Sequence, residues 1–114
     1  MPRKIEERID DIIRSCEKIV RFTSGMTRDE LFEQEVVLDA VLRNIEIIGE
    51  ASKNLPETTR SRMPGIDWRK IAGMRDWIAH VYYRVDDDIV WDTVESKVPD
   101  LLRTLQAFKD QNQP

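Results

Sequence analysis

Ile5, Ile9, Ile12, Ile13, Cys16, Ile19 and Val20 recur at steps of three and four. That spacing gathers them on one stripe of an α-helix, whereas a strand would scatter them over both faces. The period constrains the fold more than any other feature, because it returns in the later apolar stretches and no stretch alternates with period two for long enough to make a strand. The first stripe predicts a helix over about residues 3–23, with Gly25 as its stop. Thr27-Arg28-Asp29-Glu30 then has the form of a capping box, in which the Thr27 hydroxyl accepts from the third-residue amide and Glu30 reaches back. A new helical stretch therefore opens near Arg28.

From Val36 to Lys53 the apolar positions cover more than one narrow stripe, so this helix is expected to touch neighbours on two sides. The segment PETTRSRMPGID holds two prolines and a glycine and reads as a connection with a short helical turn. Asp67 is placed to cap a third main helix carrying Trp68, Ile71, Ala72, Met74, Ile78 and Ala79. Asp86, Asp87 and Asp88 suit the positive end of a helix dipole, with Asp86 as the cap, and Val90, Val94, Val98, Leu101, Leu105 and Phe108 continue at helical spacing. Pro99 falls inside that run and is expected to kink or restart it. The expectation is an all-α, up-and-down four-helix bundle with short additional helical turns, a single domain over residues 1–114.

With 40% hydrophobic and 35% charged residues, the chain has enough apolar material for a core and a well-solvated surface. No apolar run reaches the roughly 18 residues that span a bilayer, and the N-terminus is charged where a signal peptide would be apolar, so a cytoplasmic protein without a membrane partner is expected. Cys16, the lone cysteine, falls among isoleucines and reads as a reduced core thiol. The net charge of −4 disfavours indiscriminate nucleic-acid binding, which depends on cations displacing phosphate counterions. The charge is uneven, however. Between Lys53 and Arg84 seven basic residues face three acidic ones, so this third carries +4 and the rest −8.

Inside that basic third lies GMRDWIAHVYYRVDDD, residues 73–88, with His80, the chain's one histidine. It reads in two ways. A histidine near a helix C-terminus is favoured by the dipole when protonated, and tyrosines at helix ends serve as half-buried packing groups. Alternatively, Asp76 lies four residues before His80 and shares its face, so it is able to orient the imidazole and select its tautomer. Arg75 is five residues from His80, about 140° around an ideal helix. Three arrangements would reunite them: a helix that ends or unwinds before His80, an arginine that curls back, or a second copy supplying its own pair across a two-fold axis. The second copy combined with an early helix end is the expected arrangement.

The pattern R-x-x-x-x-H-x-Y, formed by Arg75, His80 and Tyr82, resembles the signature of HEPN domains of the HepT type, the toxins of HepT/MntA toxin–antitoxin pairs. LRNIEIIGEASKNL, the stretch from Ile66 to Leu102, and the amphipathic first helix also resemble their counterparts in that family, in the same order. One departure is Asp76, where the family commonly has asparagine. The resemblance implies an RNA-cleaving toxin of a type VII system that works as a homodimer, with no metal or cofactor, using Arg75 and His80 in a shared cleft. It further implies an MntA-like minimal nucleotidyltransferase antitoxin that attaches AMP to Tyr82; Tyr83, one position on, is read as packing.

Arg43, Glu46 and Glu50 fall on one side of the second main helix. Paired acids four apart invite a metal, but no E-x-x-H companion exists, so a solvated or cleft-lining polar stripe is expected; the family resemblance favours the cleft-lining version, with Arg43 assisting at phosphate. Trp68, Trp77 and Trp91 sit in or beside apolar patterns and read as packing groups rather than base-stacking platforms. No glycine-rich phosphate loop is present, so ATP chemistry would belong to a partner. The competing reading is a non-catalytic helical nucleotide-binding or adaptor subunit of a nucleotidyltransferase complex, in which Arg75 and His80 hold a phosphate without cleaving it.

Overall fold

The first apolar stripe folds as expected into α1 (Ile5–Thr23), which buries Ile9, Ile12, Cys16 and Ile19 and leaves Ile5 and Val20 exposed at its edges. The computed structural model describes residues 3–80 and 87–112, with the backbone alone at Arg75 and at 77–80. Ser24 leaves the helical conformation after α1, and Gly25 turns with φ +77°, a left-handed conformation that favours glycine. The capping box forms in full: the Thr27 hydroxyl accepts from the Glu30 amide at 3.2 Å, and the Glu30 carboxylate accepts from the Thr27 amide at 3.1 Å. It opens a short α2 (Arg28–Glu33), whose Leu31 reaches the core. Gln34, at φ −98° and ψ 82°, breaks the chain from helical geometry before α3 (Glu35–Lys53) begins.

α3 is the centre of the bundle. It packs against α1 on one side and against α5 (Trp68–His80) on another, which explains its wide apolar surface. Val41, Ile45 and Ile48 are buried there, each contributing on the order of 2 kcal/mol through apolar area removed from water. Two polar groups are buried beside them. Asn44 donates from Nδ2 to the Ala40 carbonyl at 2.8 Å, while its Oδ1 and the Ser52 hydroxyl have no hydrogen-bond partner among the described residues. Nothing in the structure explains these two orphan atoms.

The proline-rich connection is more ordered than a bare link. It contains α4 (Glu57–Arg60) and sends Leu55, Thr59 and Met63 inward. Trp68 is buried beneath it, its Nε1–H donating to the Met63 carbonyl at 3.2 Å. Asp67 caps α5, its carboxylate accepting from the Lys70 amide at 3.2 Å.

The last rod is built from α6 (Asp87–Asp92), a π-helical turn (Thr93–Lys97) and α7 (Val98–Gln111) in direct succession. Pro99 occupies the first turn of α7, and the widened turn immediately precedes it. A proline ring would clash with the carbonyl four residues back in an ordinary α-helix, and a π turn shifts that carbonyl out of register. The Val98 amide bonds accordingly to the Thr93 carbonyl, five residues earlier. The expected kink or restart is thus met by local widening. Asp86, the expected cap, lies outside the described residues.

α7 closes the bundle against α1, and Val90, Val94, Val98, Leu101 and Leu105 join α1 and α3 in one core cluster. The architecture is the all-helical bundle read from the period, with α2 and α4 as the short extra turns. Cys16 is a free thiol with no exposed surface, and burial pushes its pKa up to about 12. Among the described residues no helix is long and apolar enough to cross a membrane.

Candidate active site

The segment with the lone histidine is carried by α5, and the first half of that helix is firmly placed. Asp67 caps it, Trp68 and Ile71 are buried, and Met74 packs against the core from a partly buried position. Beyond Met74 the helix runs without a break through Arg75 and Asp76 to His80. The stretch Asp76-Trp77-Ile78-Ala79 contains neither glycine nor proline, so nothing interrupts the backbone ladder. The expectation that the helix ends or unwinds before His80 is therefore corrected: α5 ends at His80, and the turn between Arg75 and His80 is helical.

Helical register then fixes relative directions. Asp76 and His80 lie about 40° apart around the axis and about 6 Å apart along it, while Arg75 and His80 are separated by about 140°. Within one chain, positions 76 and 80 fall on one face of the helix and position 75 on another. Asp76 is exposed. Tyr82 and Tyr83 lie outside the described residues, as do the side chains of Arg75, Trp77 and His80.

Arg43 is placed elsewhere on the bundle. Its guanidinium is 70% exposed and pairs with Glu46 at 3.5 Å, and both line a groove of about 350 Å³ on the α1–α3 side together with Arg8, Asp11 and Glu50. Glu46 and Glu50 both line this groove. Among the described residues no three His, Cys, Asp or Glu side chains converge closely enough to hold a metal ion. Of the three tryptophans, Trp68 is buried and Trp91 packs partly buried against the core, as their apolar patterns predict.

The structure also assembles a feature that sequence reading missed. Three adjoining bays lie along the α6–π–α7 rod, the outer one against the connection before α5 and the other two against α5. The outer bay holds Arg62 and Arg103, the middle one Lys70, Lys97 and Arg103, and the inner one Lys70, Lys97, Gly73 and Met74. Arg62 and Lys70 belong to the basic third of the sequence, but Lys97 and Arg103 lie in the acidic remainder. No linear signal connects the four.

Comparison with known proteins bears on all of these residues. Residues 12–108 match the family described as Ribonuclease HepT-like. The chain is 38% identical to the protein named "Probable ribonuclease HepT" of Thermococcus cleftensis over 89% of its own length and 92% of the relative's. It is 36% identical to "Putative RNase MJ0127" of Methanocaldococcus jannaschii, covering 95% of this chain and 90% of the relative. No solved structure matches the chain at a significant level. A family match spanning nearly the whole bundle, α5 and its histidine included, carries one conclusion: the chain belongs to the HepT-like ribonuclease family.

Proposed function

We propose that the chain is the toxin of a type VII toxin–antitoxin pair, a homodimeric RNA endonuclease that uses Arg75 and His80 without a metal. The observation that carries this reading is the unbroken course of α5 through His80 in a chain of this family. A straight helix keeps Arg75 away from its own His80. Two copies whose α5 termini face each other across a two-fold axis would bring the arginine of one to the histidine of the other.

The chemistry follows from the residue types. The neutral imidazole of His80 takes the proton of a ribose 2′-hydroxyl, and the resulting oxygen attacks the neighbouring phosphorus. The bond to the 5′-oxygen breaks, and the protonated histidine of the second copy delivers a proton to that leaving oxygen. The products are a 2′,3′-cyclic phosphate and a free 5′-hydroxyl. Arg75 stabilises the charge that grows on the phosphoryl oxygens, its planar fork matching two of them at once. Asp76, on the His80 face, orients the imidazole by accepting its second N–H. Arg43, well exposed and held by a single ion pair, is a supporting phosphate contact of smaller weight.

The same reading assigns regulation to Tyr82. A minimal nucleotidyltransferase antitoxin transfers AMP from ATP to the Tyr82 hydroxyl, releasing pyrophosphate. The added anion competes with RNA for the arginine and fills the cleft. The test is to incubate the purified chain with RNA and follow cleavage and end groups, comparing wild type with His80→Ala. Loss of cleavage in the variant, with cyclic phosphate ends in the wild type, is expected. Equal cleavage by both proteins overturns the assignment, and RNA bound but left intact by the wild type points to the adaptor reading instead.

A further inference from the structure

The three bays along the α6–π–α7 rod adjoin one another. The outer bay of about 400 Å³ shares Gly65, Arg103 and Thr104 with the middle bay of about 290 Å³. The middle bay in turn shares Lys70 and Lys97 with the inner bay of about 280 Å³. The inner bay ends at Gly73 and Met74, directly before Arg75 in the same helix. Gly73 precedes His80 by seven residues, and seven steps of about 100° return to within about 20° of the starting direction. Of the α5 positions in the inner bay, Gly73 shares that direction, whereas Lys70 and Met74 lie about 80° and about 120° from it, so the groove meets the His80 face at its Gly73 edge.

Charge in the groove is one-sided. Four cations line it, Arg62, Lys70, Lys97 and Arg103, against the two carboxylates Asp67 and Asp100. Asp67 is engaged with the Lys70 amide as the cap of α5. Asp100 pairs with Arg103, and Lys97 pairs with Asp92 at 3.4 Å, but both pairs are solvent-exposed. Such pairs are worth little and readily exchange one anion for another. Arg62 and Lys70 have no carboxylate partner among the described residues. Arg62 is nevertheless held in place: its Nη2 donates to Asn112 Oδ1 at 2.6 Å, and its guanidinium lies 4.9 Å from the centre of the Phe108 ring. A cation positioned in advance and left without a counter-charge is suited to an anion arriving from outside.

We propose that this groove is the track for the phosphate backbone of single-stranded RNA, positioning the substrate strand as it approaches the α5 terminus. The proposal rests on the ribonuclease reading above and adds to it where the strand lies. A row of cations along a groove follows a flexible polyanion without selecting its sequence. It also offers a way for an acidic chain to hold RNA, since cations outnumber acids in this groove although the chain as a whole is negative. Arg62, Lys70, Lys97 and Arg103 act here as positioning residues, remote from the reacting atoms.

The test is equilibrium binding of a fluorescein-labelled single-stranded oligoribonucleotide, followed by anisotropy over a series of salt concentrations. His80→Ala protein serves as the reference so that the probe survives. Adding Arg62→Gln and Lys70→Gln together is expected to weaken binding several-fold at low salt. The double change should also flatten the log–log salt dependence by about 1.4, at roughly 0.7 per lost single-strand phosphate contact. Both positions are exposed, and thermal unfolding of the variant verifies that the bundle is intact. Unchanged affinity and slope overturn the groove. So does an unchanged RNA isotherm accompanied by weaker binding to a protein partner, which would assign the groove to that partner. The two readings fail separately. RNA bound through Arg62 and Lys70 but never cleaved by the wild type keeps the groove and removes the nuclease, whereas cleavage with binding indifferent to both residues does the reverse.

Discussion

The groove on the α1–α3 side and the one along α7 differ in how they are charged. On the α1–α3 side, Arg8 and Arg43 share the lining with Asp11, Glu46 and Glu50. Several of the arginines along α1 and α3 pair with carboxylates: Asp11 holds Arg3 at 2.5 Å and Arg14 at 3.5 Å, and Glu46 holds Arg43. On the α5–α7 side, cations outnumber acids and two of them lack a carboxylate partner among the described residues. The first groove is lined by two cations and three acids, the second by four cations and two acids. The difference teaches that a net charge of −4 says little about affinity for a polyanion when the charges are sorted onto separate faces.

The largest effect that would break this contrast concerns the end of α5. Arg75→Ala or His80→Ala is expected to lower RNA cleavage by about 10²- to 10⁴-fold, with the unfolding midpoint unchanged or raised, because an active-site group is often held at some cost to stability. A marked drop in the midpoint with cleavage retained would identify His80 as a packing residue. Next comes the α1 side of the core. Ile12, fully buried, is expected to cost about 2–5 kcal/mol of stability when changed to alanine, measured by denaturant unfolding, while the protein that remains folded cleaves at the wild-type rate. A loss of turnover per folded molecule would show that the two sides are coupled.

A smaller effect sharpens the comparison directly. The Arg62→Gln, Lys70→Gln pair weakens RNA binding several-fold, whereas Arg43→Gln, on the opposite groove, is expected to weaken it less in the same anisotropy assay. If the order were reversed, the strand would run along α3 and the two grooves would exchange roles. The smallest effect is on stability at the Arg43–Glu46 pair. Exposed and three residues apart on one helix, it is expected to contribute less than about 1 kcal/mol in a double-mutant cycle. A larger coupling would mean that this face is closed more tightly than its exposure implies.

Much of the scaffold was legible before any coordinates. The isoleucine stripe of α1, the Thr27–Glu30 box, the Asp67 cap and the two-sided surface of α3 all appear where the period and the capping residues place them. The behaviour around Pro99 was legible only in part, because its missing amide announces a disturbance without saying whether the chain bends, restarts or widens. Packing of Val94, Val98 and Leu101 into one core favours a continuous rod, and the π turn is the form that keeps it. The early end of α5 was an incorrect expectation, since it was drawn from the need to reunite Arg75 with His80 and not from any helix-breaking residue between them.

By itself, the sequence determined where most of the helices lie, which stripe of each turns inward, and the resemblance to HepT-like ribonucleases carried by Arg75, His80 and Tyr82. These properties are local, because period and caps act within a few residues of each other. The tertiary structure alone decided that Lys97 and Arg103, from the acidic part of the chain, stand across from Lys70 and beside Arg62 in one groove. The rotation of each packed helix about its axis sets which exposed side chains become neighbours, and that rotation is fixed by how the buried faces interlock.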